Sequence, residues 1–265
     1  MKDSEKEVAI SIRNLVTRFG DRVILNGATL DIFRGETFVI LGGSGCGKST
    51  LLRHICGLAK PTSGEIWIKG QNITQLGEEQ FNEIRKKMGM AFQNSALFNS
   101  MSVGENVALP LQEHTELEQS TIQIMTRIKL EQVGLSGFEN FMPSELSGGM
   151  KKRAGIARAL AMDPDILLFD EPSAGLDPIV AAGLDALIMK LKEAFQITMI
   201  LVTHEMASAF LVADRMVMLD KGKVLFIGTP DEIRACEIPR VRQFLDREPD
   251  RESQDVEKYL DNLTQ

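Results

Sequence analysis

Residues 37–58 pass without interruption from an apolar stretch, through Gly42-Gly43-Ser44-Gly45-Cys46-Gly47-Lys48-Ser49-Thr50, into a run in which Leu51, Leu52, Ile55 and Leu58 recur at helical spacing. Few folds accept that order. Residues 37–41 have strand length and no polar face, so they read as a strand covered on both sides, while Gly57 and Pro61 stop the helix that follows. A loop of small residues between a buried strand and a helix lets successive backbone N–H groups converge on one anion, and the helix N-terminus adds the positive end of its dipole. The spacing Gly42-x4-Gly47-Lys48-Ser49 fits a phosphate cradle in which Lys48 neutralises β- and γ-phosphates and Ser49 ligates magnesium.

Around this unit the chain alternates. Residues 8–15 and 23–32 read as strands of an antiparallel layer, turning at Phe19-Gly20-Asp21-Arg22. Further strand-length runs stand at 65–68, 88–92, 166–169, 198–203 and 216–219, several of them separated by helical periods, which predicts an α/β domain on a largely parallel sheet. Between Gln93 and Gly149 no strand pattern occurs, and Ile122, Met125, Ile128, Leu130 and Val133 suit an amphipathic helix. Residues 94–150 are therefore expected to be a helical subdomain inserted in a domain spanning 1–245. In the acidic tail, 246–265, Val256, Tyr259, Leu260 and Leu263 share one helical face behind Ser253, predicting a short docking helix.

Charge and composition narrow the partners. A net charge of −7 argues against an electrostatic grip on nucleic acid. Cys46, Cys56 and Cys236, at unrelated spacings, form neither a disulfide framework nor a zinc pattern and suit a reducing compartment. The N-terminal residues Met1-Lys2-Asp3-Ser4-Glu5-Lys6-Glu7 lack the apolar core of a secretory signal, and no apolar run approaches the length of a membrane span. Contact with a membrane is expected only through a partner.

Two further segments carry chemistry. Leu167-Leu168-Phe169-Asp170-Glu171 ends an apolar strand in paired carboxylates, suiting Asp170 to hold a metal and Glu171 to polarise an attacking water. Glu145-Leu146-Ser147-Gly148-Gly149-Met150 opens a helix continuing through Ala154, Ile156 and Leu160; Ser147 is placed to cap it, and the glycines leave N–H groups open to a phosphate. Lying between the phosphate cradle and the Asp-Glu pair, this segment resembles the signature motif of the ABC transporter ATPases, and the likeness runs from about Val8 to Leu245 with every motif in order.

The resemblance implies a P-loop NTPase fold of the ABC type, with a RecA-like core sheet, an antiparallel β subdomain and the inserted helical subdomain. It also implies ATP hydrolysis with Mg2+ by two copies set head to tail, each Ser147-Gly148-Gly149 turn closing over the ATP on the other copy's loop. Gln93 resembles the Q-loop residue that senses magnesium and links the site to the membrane partner, and Asp177, ending Ser173-Ala174-Gly175-Leu176-Asp177, resembles the D-loop that crosses the dimer interface. His204 resembles the switch histidine at the γ-phosphate, and Phe19 the aromatic residue stacked on adenine. Met150 departs from the glutamine common in the family, with activity expected to survive; His54 and His114 read as ordinary surface or hydrogen-bonded histidines.

The transporter type is expressed in the helical region. Ser95-Ala96-Leu97-Phe98, Val107-Ala108-Leu109-Pro110-Leu111-Gln112-Glu113-His114-Thr115, Met142-Pro143-Ser144 and Arg240-Val241-Arg242-Gln243-Phe244-Leu245 resemble the ATPases of Mla-type phospholipid transport. That likeness implies a peripheral subunit on the cytoplasmic side of a Gram-negative inner membrane. Its partners would be an MlaE-like permease, an MlaD-like MCE-domain protein and an MlaB-like STAS-domain protein, serving outer-membrane lipid asymmetry. Two other readings stay open: the ATPase of an importer for amino acids or other small solutes, and a soluble ABC ATPase acting on nucleic acid or ribosomes. The single cassette, the lack of heptads and the negative charge disfavour the last.

Overall fold

Alternating apolar residues in Val8–Phe19 (β1) and Arg22–Phe33 (β2) bury one face of a hairpin whose last pair is Phe19 opposite Arg22, as the turn signal predicts. The computed structural model describes residues 6–249, so the stripe of Val256, Tyr259, Leu260 and Leu263 lies outside the described residues. Ser63–Ile68 (β4) pairs with β1, and Gln71–Asn72 (β5) with β4, giving an antiparallel sheet in the order β2-β1-β4-β5.

The second sheet holds Thr37–Gly42 (β3), Met88–Ala91 (β6), Ile166–Asp170 (β7), Thr198–Val202 (β8), Arg215–Asp220 (β9) and Lys223–Gly228 (β10), ordered β10-β9-β3-β8-β7-β6. All neighbours are parallel except the edge strand β10. Every residue of β3 and β8 is buried, which explains the apolar runs that follow their first residues, Thr37 and Thr198. Side chains alternate between two cores. Val39, Leu41, Leu167, Phe169, Met199 and Leu201 face one, and Phe38, Ile40, Ile166, Leu168, Ile200 and Val202 face the other.

Helices cover the first core: Gly148–Ala159 (α5) with Ile156, Pro178–Phe195 (α6) with Leu184 and Ile188, and Met206–Val212 (α7) with Ala209. Over the second lie Leu51, Leu52 and Ile55 of Lys48–Ile55 (α1) together with Ile10, Ile12, Leu30 and Ile66 of the antiparallel sheet. Phe38 and Phe169 are fully buried, one on each side, and truncating either to Ala should cost about 3–5 kcal/mol.

Glu78–Arg85 (α2) precedes β6. Between β6 and β7 the described residues form Val103–His114 (α3), Gln119–Gln132 (α4), a 3-10 turn at Pro143–Glu145, and α5. Ser102 and Glu105 close a capping box on α3, and Ser147 accepts from Met150 N at 3.3 Å as the cap of α5. Pro230–Arg234 (α8) and Pro239–Leu245 (α9) follow β10; Arg240 reaches Asp220 at 3.1 Å, which ties α9 to the end of β9. Among the described residues no helix is long and apolar enough to cross a membrane.

Register places the chemistry. The parallel strands β3, β8, β7 and β6 are level, with Ile40 and Asp170 both beside Val202 and Ala91 beside Phe169. The segments leaving their carboxyl ends (Gly43, Glu171, Thr203 and Phe92) therefore gather at one edge of the sheet.

Candidate active site

Gly47, the N-cap of α1, has φ 109° and ψ 5°, and a Cβ there would stand 2.7 Å from Leu25 Cδ2. Only glycine fits both the conformation and the space. The cap has no side chain to bond the helix, and no acidic residue occupies the first turn. The first N–H groups of α1 are thus left to an external anion at the positive end of the dipole. A cavity of about 680 Å³ opens there, walled by the glycine loop, Thr50, Glu171 and His204.

Lys48 is buried, and its Nζ donates to the carbonyls of Gly42 at 2.9 Å and Gly43 at 3.0 Å. Ser44, Gly45 and Ser49 line the same wall, with Ser49 Oγ donating to Asp170 Oδ1 at 3.1 Å. Cys46 turns inward and is absent from the cavity wall; burial pushes its thiol above the ordinary range, although Lys48 pulls the other way, and its backbone is engaged within the chain, N–H to Gly43 O at 3.4 Å and carbonyl from Gly222 N at 3.2 Å.

At the end of β7 the two carboxylates differ. Burial raises the pKa of Asp170, opposed by the Ser49 hydrogen bond. Glu171 is in the left-handed region, φ 48°, with its N–H donating to Val202 O at 2.9 Å. Its Oε1 lies 3.3 Å from His204 Nδ1, and its Oε2 accepts from Gln93 Nε2 at 3.4 Å. Four neighbouring strand ends have thereby brought Lys48, Ser49, Gln93, Asp170, Glu171 and His204 together. Among the described residues no group of three His, Cys, Asp or Glu could hold a metal alone. Two hard oxygens, Ser49 Oγ and Asp170 Oδ1, suit Mg2+, which takes one or two protein ligands and fills its shell with phosphate and water oxygens.

Other expected residues stand apart from that cluster. Ser147, Gly148 and Gly149 begin α5 and form no described part of the cavity wall. Asp177 caps α6, accepting from Ile179 N at 3.1 Å and Val180 N at 3.0 Å, and is not among the residues walling the cavity. Phe19 is 63% exposed at the hairpin tip; its cross-strand partner Arg22 reaches the cavity. His54 is buried with both ring nitrogens engaged, by Thr17 Oγ1 at 2.7 Å and Ala59 O at 2.9 Å.

Sequence reasoning missed Arg22, Ile24 and Phe244, which also wall the cavity, and Lys152, whose Nζ bonds the carbonyls of Gln93 and Glu171. The alternation of β2 could have flagged the first pair; nothing local marks Phe244 or Lys152.

The ABC transporter family model matches residues 25–174, which hold both the glycine loop and the Asp-Glu pair. The intermembrane phospholipid transport system ATP-binding protein MlaF of Haemophilus influenzae is 44% identical over 241 residues, covering 91% of each chain. A probable ribonucleotide transport ATP-binding protein, mkl, of Mycobacterium leprae is 44% identical over 238 residues, 90% of this chain and 69% of that one. Among solved structures, the ATP-binding cassette MJ0796, dimeric in a post-hydrolysis state bound to ADP and Pi, superposes with a TM-score of 0.77 at 32% identity, covering 83% of this chain and 98% of that chain. On sequence, fold and site together, this chain belongs to the ABC transporter family as an ATP-binding subunit resembling MlaF.

Proposed function

We propose that the chain is the ATP-hydrolysing subunit of an Mla-type phospholipid transporter. The observation that carries the hydrolytic reading is the Glu171 carboxylate, held between Gln93 and His204 on the wall of a cavity whose floor is a glycine loop with a buried lysine. Glu171 orients the water that attacks the γ-phosphorus and takes up its proton; the bond to the leaving ADP oxygen breaks, giving ADP and inorganic phosphate. Lys48 and the N–H groups at the start of α1 hold the β- and γ-phosphates, and His204 donates to the γ-phosphoryl oxygens as their charge redistributes. When bound, Mg2+ neutralises phosphate charge, held by Ser49 Oγ and the Asp170 carboxylate with Gln93 beside it. Phe19, exposed at the hairpin tip, stacks on the adenine.

The site is half a site in one chain. The Ser147-Gly148-Gly149 turn, no part of its own chain's cavity wall, presents N–H groups of the α5 start to the γ-phosphate on a second copy, and the Asp177 loop runs along the same interface. Residues 94–150 form a helical subdomain within the ATPase domain of residues 1–245, leaving 246–265 as a tail. A groove of about 800 Å³ lies between α2–β6 and α3–α5, floored by Met88, Met90, Phe92, Phe98, Leu109 and Pro110 and rimmed by charged residues of α2. It receives a short amphipathic element of an MlaE-like permease, which attaches the subunit to the cytoplasmic face of the bacterial inner membrane; MlaD-like and MlaB-like proteins complete the complex.

Affinity purification of the tagged chain from detergent-solubilised membranes tests the assignment. Permease, MCE-domain and STAS-domain proteins are expected, with magnesium-dependent phosphate release that disappears in Glu171→Gln. Recovery of an amino-acid or sugar permease in their place overturns the transport reading, and full hydrolysis by Glu171→Gln overturns the site.

A further inference from the structure

Burying an ammonium is unfavourable unless its donors are used, and one such group lies behind the hydrolytic pair. Lys152, 9% exposed on α5, donates to the Gln93 carbonyl at 2.5 Å and reaches the Glu171 carbonyl at 3.4 Å. The side chains of those same two residues meet at 3.4 Å, Gln93 Nε2 on Glu171 Oε2. One cation therefore ties together the main chains of the two residues whose side chains form the pair. Burial pulls its pKa below the usual lysine range, while the charge of Glu171 draws it back up.

Both segments need holding, because Glu171, Ser95 and Ala96 have φ of 48°, 58° and 48°, a region that residues with side chains rarely occupy. α5 docks on residues 93–96 along one inclined i, i+3, i+6 row. Lys152 takes the Gln93 carbonyl. Gly155 lets the backbone pass, since a Cβ there would stand 3.2 Å from Ser95 O, and Arg158 donates to Ser95 O at 3.0 Å and Ala96 O at 2.7 Å. Arg158 also lines the groove assigned to the permease, beside Phe92, Ala96 and Phe98. The helix that opens at the Ser147 turn thus runs back against that groove, with Lys152 between the two.

We propose that Lys152 is a positioning residue for hydrolysis: bound to the peptide oxygens of Gln93 and Glu171, it fixes the Gln93 amide and the Glu171 carboxylate in the orientation that aligns water. It touches neither nucleotide nor water itself. The inference rests on Glu171 being the water-positioning group.

The test compares wild type, Lys152→Met, Lys152→Gln and Glu171→Gln as purified transporter complexes. Lys152→Met should lower kcat about ten- to hundredfold, the scale of a misplaced reacting group, with KM and equilibrium affinity for Mg-ATP within about twofold even where the lost hydrogen bonds lower the melting temperature. Lys152→Gln, which keeps a neutral donor for one carbonyl, should recover part of the rate. Turnover by Lys152→Met within about twofold of wild type overturns the inference alone, provided Glu171→Gln is inactive. So does a joint fall of kcat, nucleotide affinity and melting temperature in both lysine variants, which marks a merely structural residue. An active Glu171→Gln removes the site reading and this inference with it.

Discussion

Helices α1 and α5 both open on glycines, and they open differently. α1 has left-handed Gly47 as its cap, without a side-chain bond, and lies on a cavity beside Lys48, Ser49 and the carboxylates of β7 and its following turn. α5 has Ser147 as its cap, already bonded to Met150 N, and none of those groups line its start. An anion at α1 finds its cation and its metal ligands within the same chain. One at α5 would, on the proposed reading, be brought by a second copy, with its counter-charges already in place. On the function proposed above, the contrast separates binding, which one chain would perform, from hydrolysis, which would take two.

Substitutions can break or sharpen that contrast. The largest effect should come from Lys48→Ala, which removes the cation bonded into the glycine loop: hydrolysis should fall by about 10³-fold and equilibrium ATP affinity with it, read by phosphate release and nucleotide titration. Next, Glu171→Gln should reduce kcat by about 10²–10³-fold while leaving affinity near wild type, since the amide keeps the shape but cannot take the proton. Ser147→Arg fills the second helix start. It should cost about 10²-fold in hydrolysis yet leave Mg-ATP binding by the isolated chain within about twofold; a comparable loss of binding would place both helix starts in one site.

Acidity provides a finer probe. Asp170 must be ionised to hold the metal, and burial raises its pKa, so magnesium-dependent nucleotide binding should weaken on acidification starting above the ordinary carboxylate range. Without ligand the sign reverses. The folded chain binds that proton more tightly than the unfolded one, and stability from this group rises as pH falls through its folded pKa. Asp170→Asn should flatten both profiles. Smallest of all, Asp177→Ala removes the cap of α6 and should lower stability by about 1 kcal/mol in thermal melts, an effect on the helix and not on the cavity.

How much of this was readable beforehand depends on whether the signal is local. Gly47, Lys48, Ser49 and the Asp170-Glu171 pair announce themselves because strand, loop and helix occur in immediate succession. The strands β3, β7 and β8 were legible too: burial on both faces makes their interiors apolar, with polar residues only at the ends, Thr37, Asp170 and Thr198. Strand β10 was not foreseen, since Lys223-Val224-Leu225-Phe226-Ile227 lies half-buried on a sheet edge and lacks a clear period. Residues 16–19 continue β1 past the predicted end because the hairpin pairs them with β2. Lys152 was illegible altogether. Its partners Gln93 and Glu171 are separated from it by 59 and 19 residues, and only tertiary packing brings their carbonyls to one ammonium. Asp177 shows the opposite case: Asp-Pro before a helix is a strong local capping signal, and the structure uses it as one.

The division of labour between the two helix starts is most directly tested by the mass of the Glu171→Gln chain in solution, with and without Mg-ATP, by light scattering across a sizing column. The account predicts a shift from the 29.4 kDa chain to twice that mass on nucleotide addition, abolished when Ser147→Arg is added although ATP still binds. A nucleotide-loaded species that remains at 29.4 kDa, or a dimer indifferent to Ser147→Arg, would contradict it.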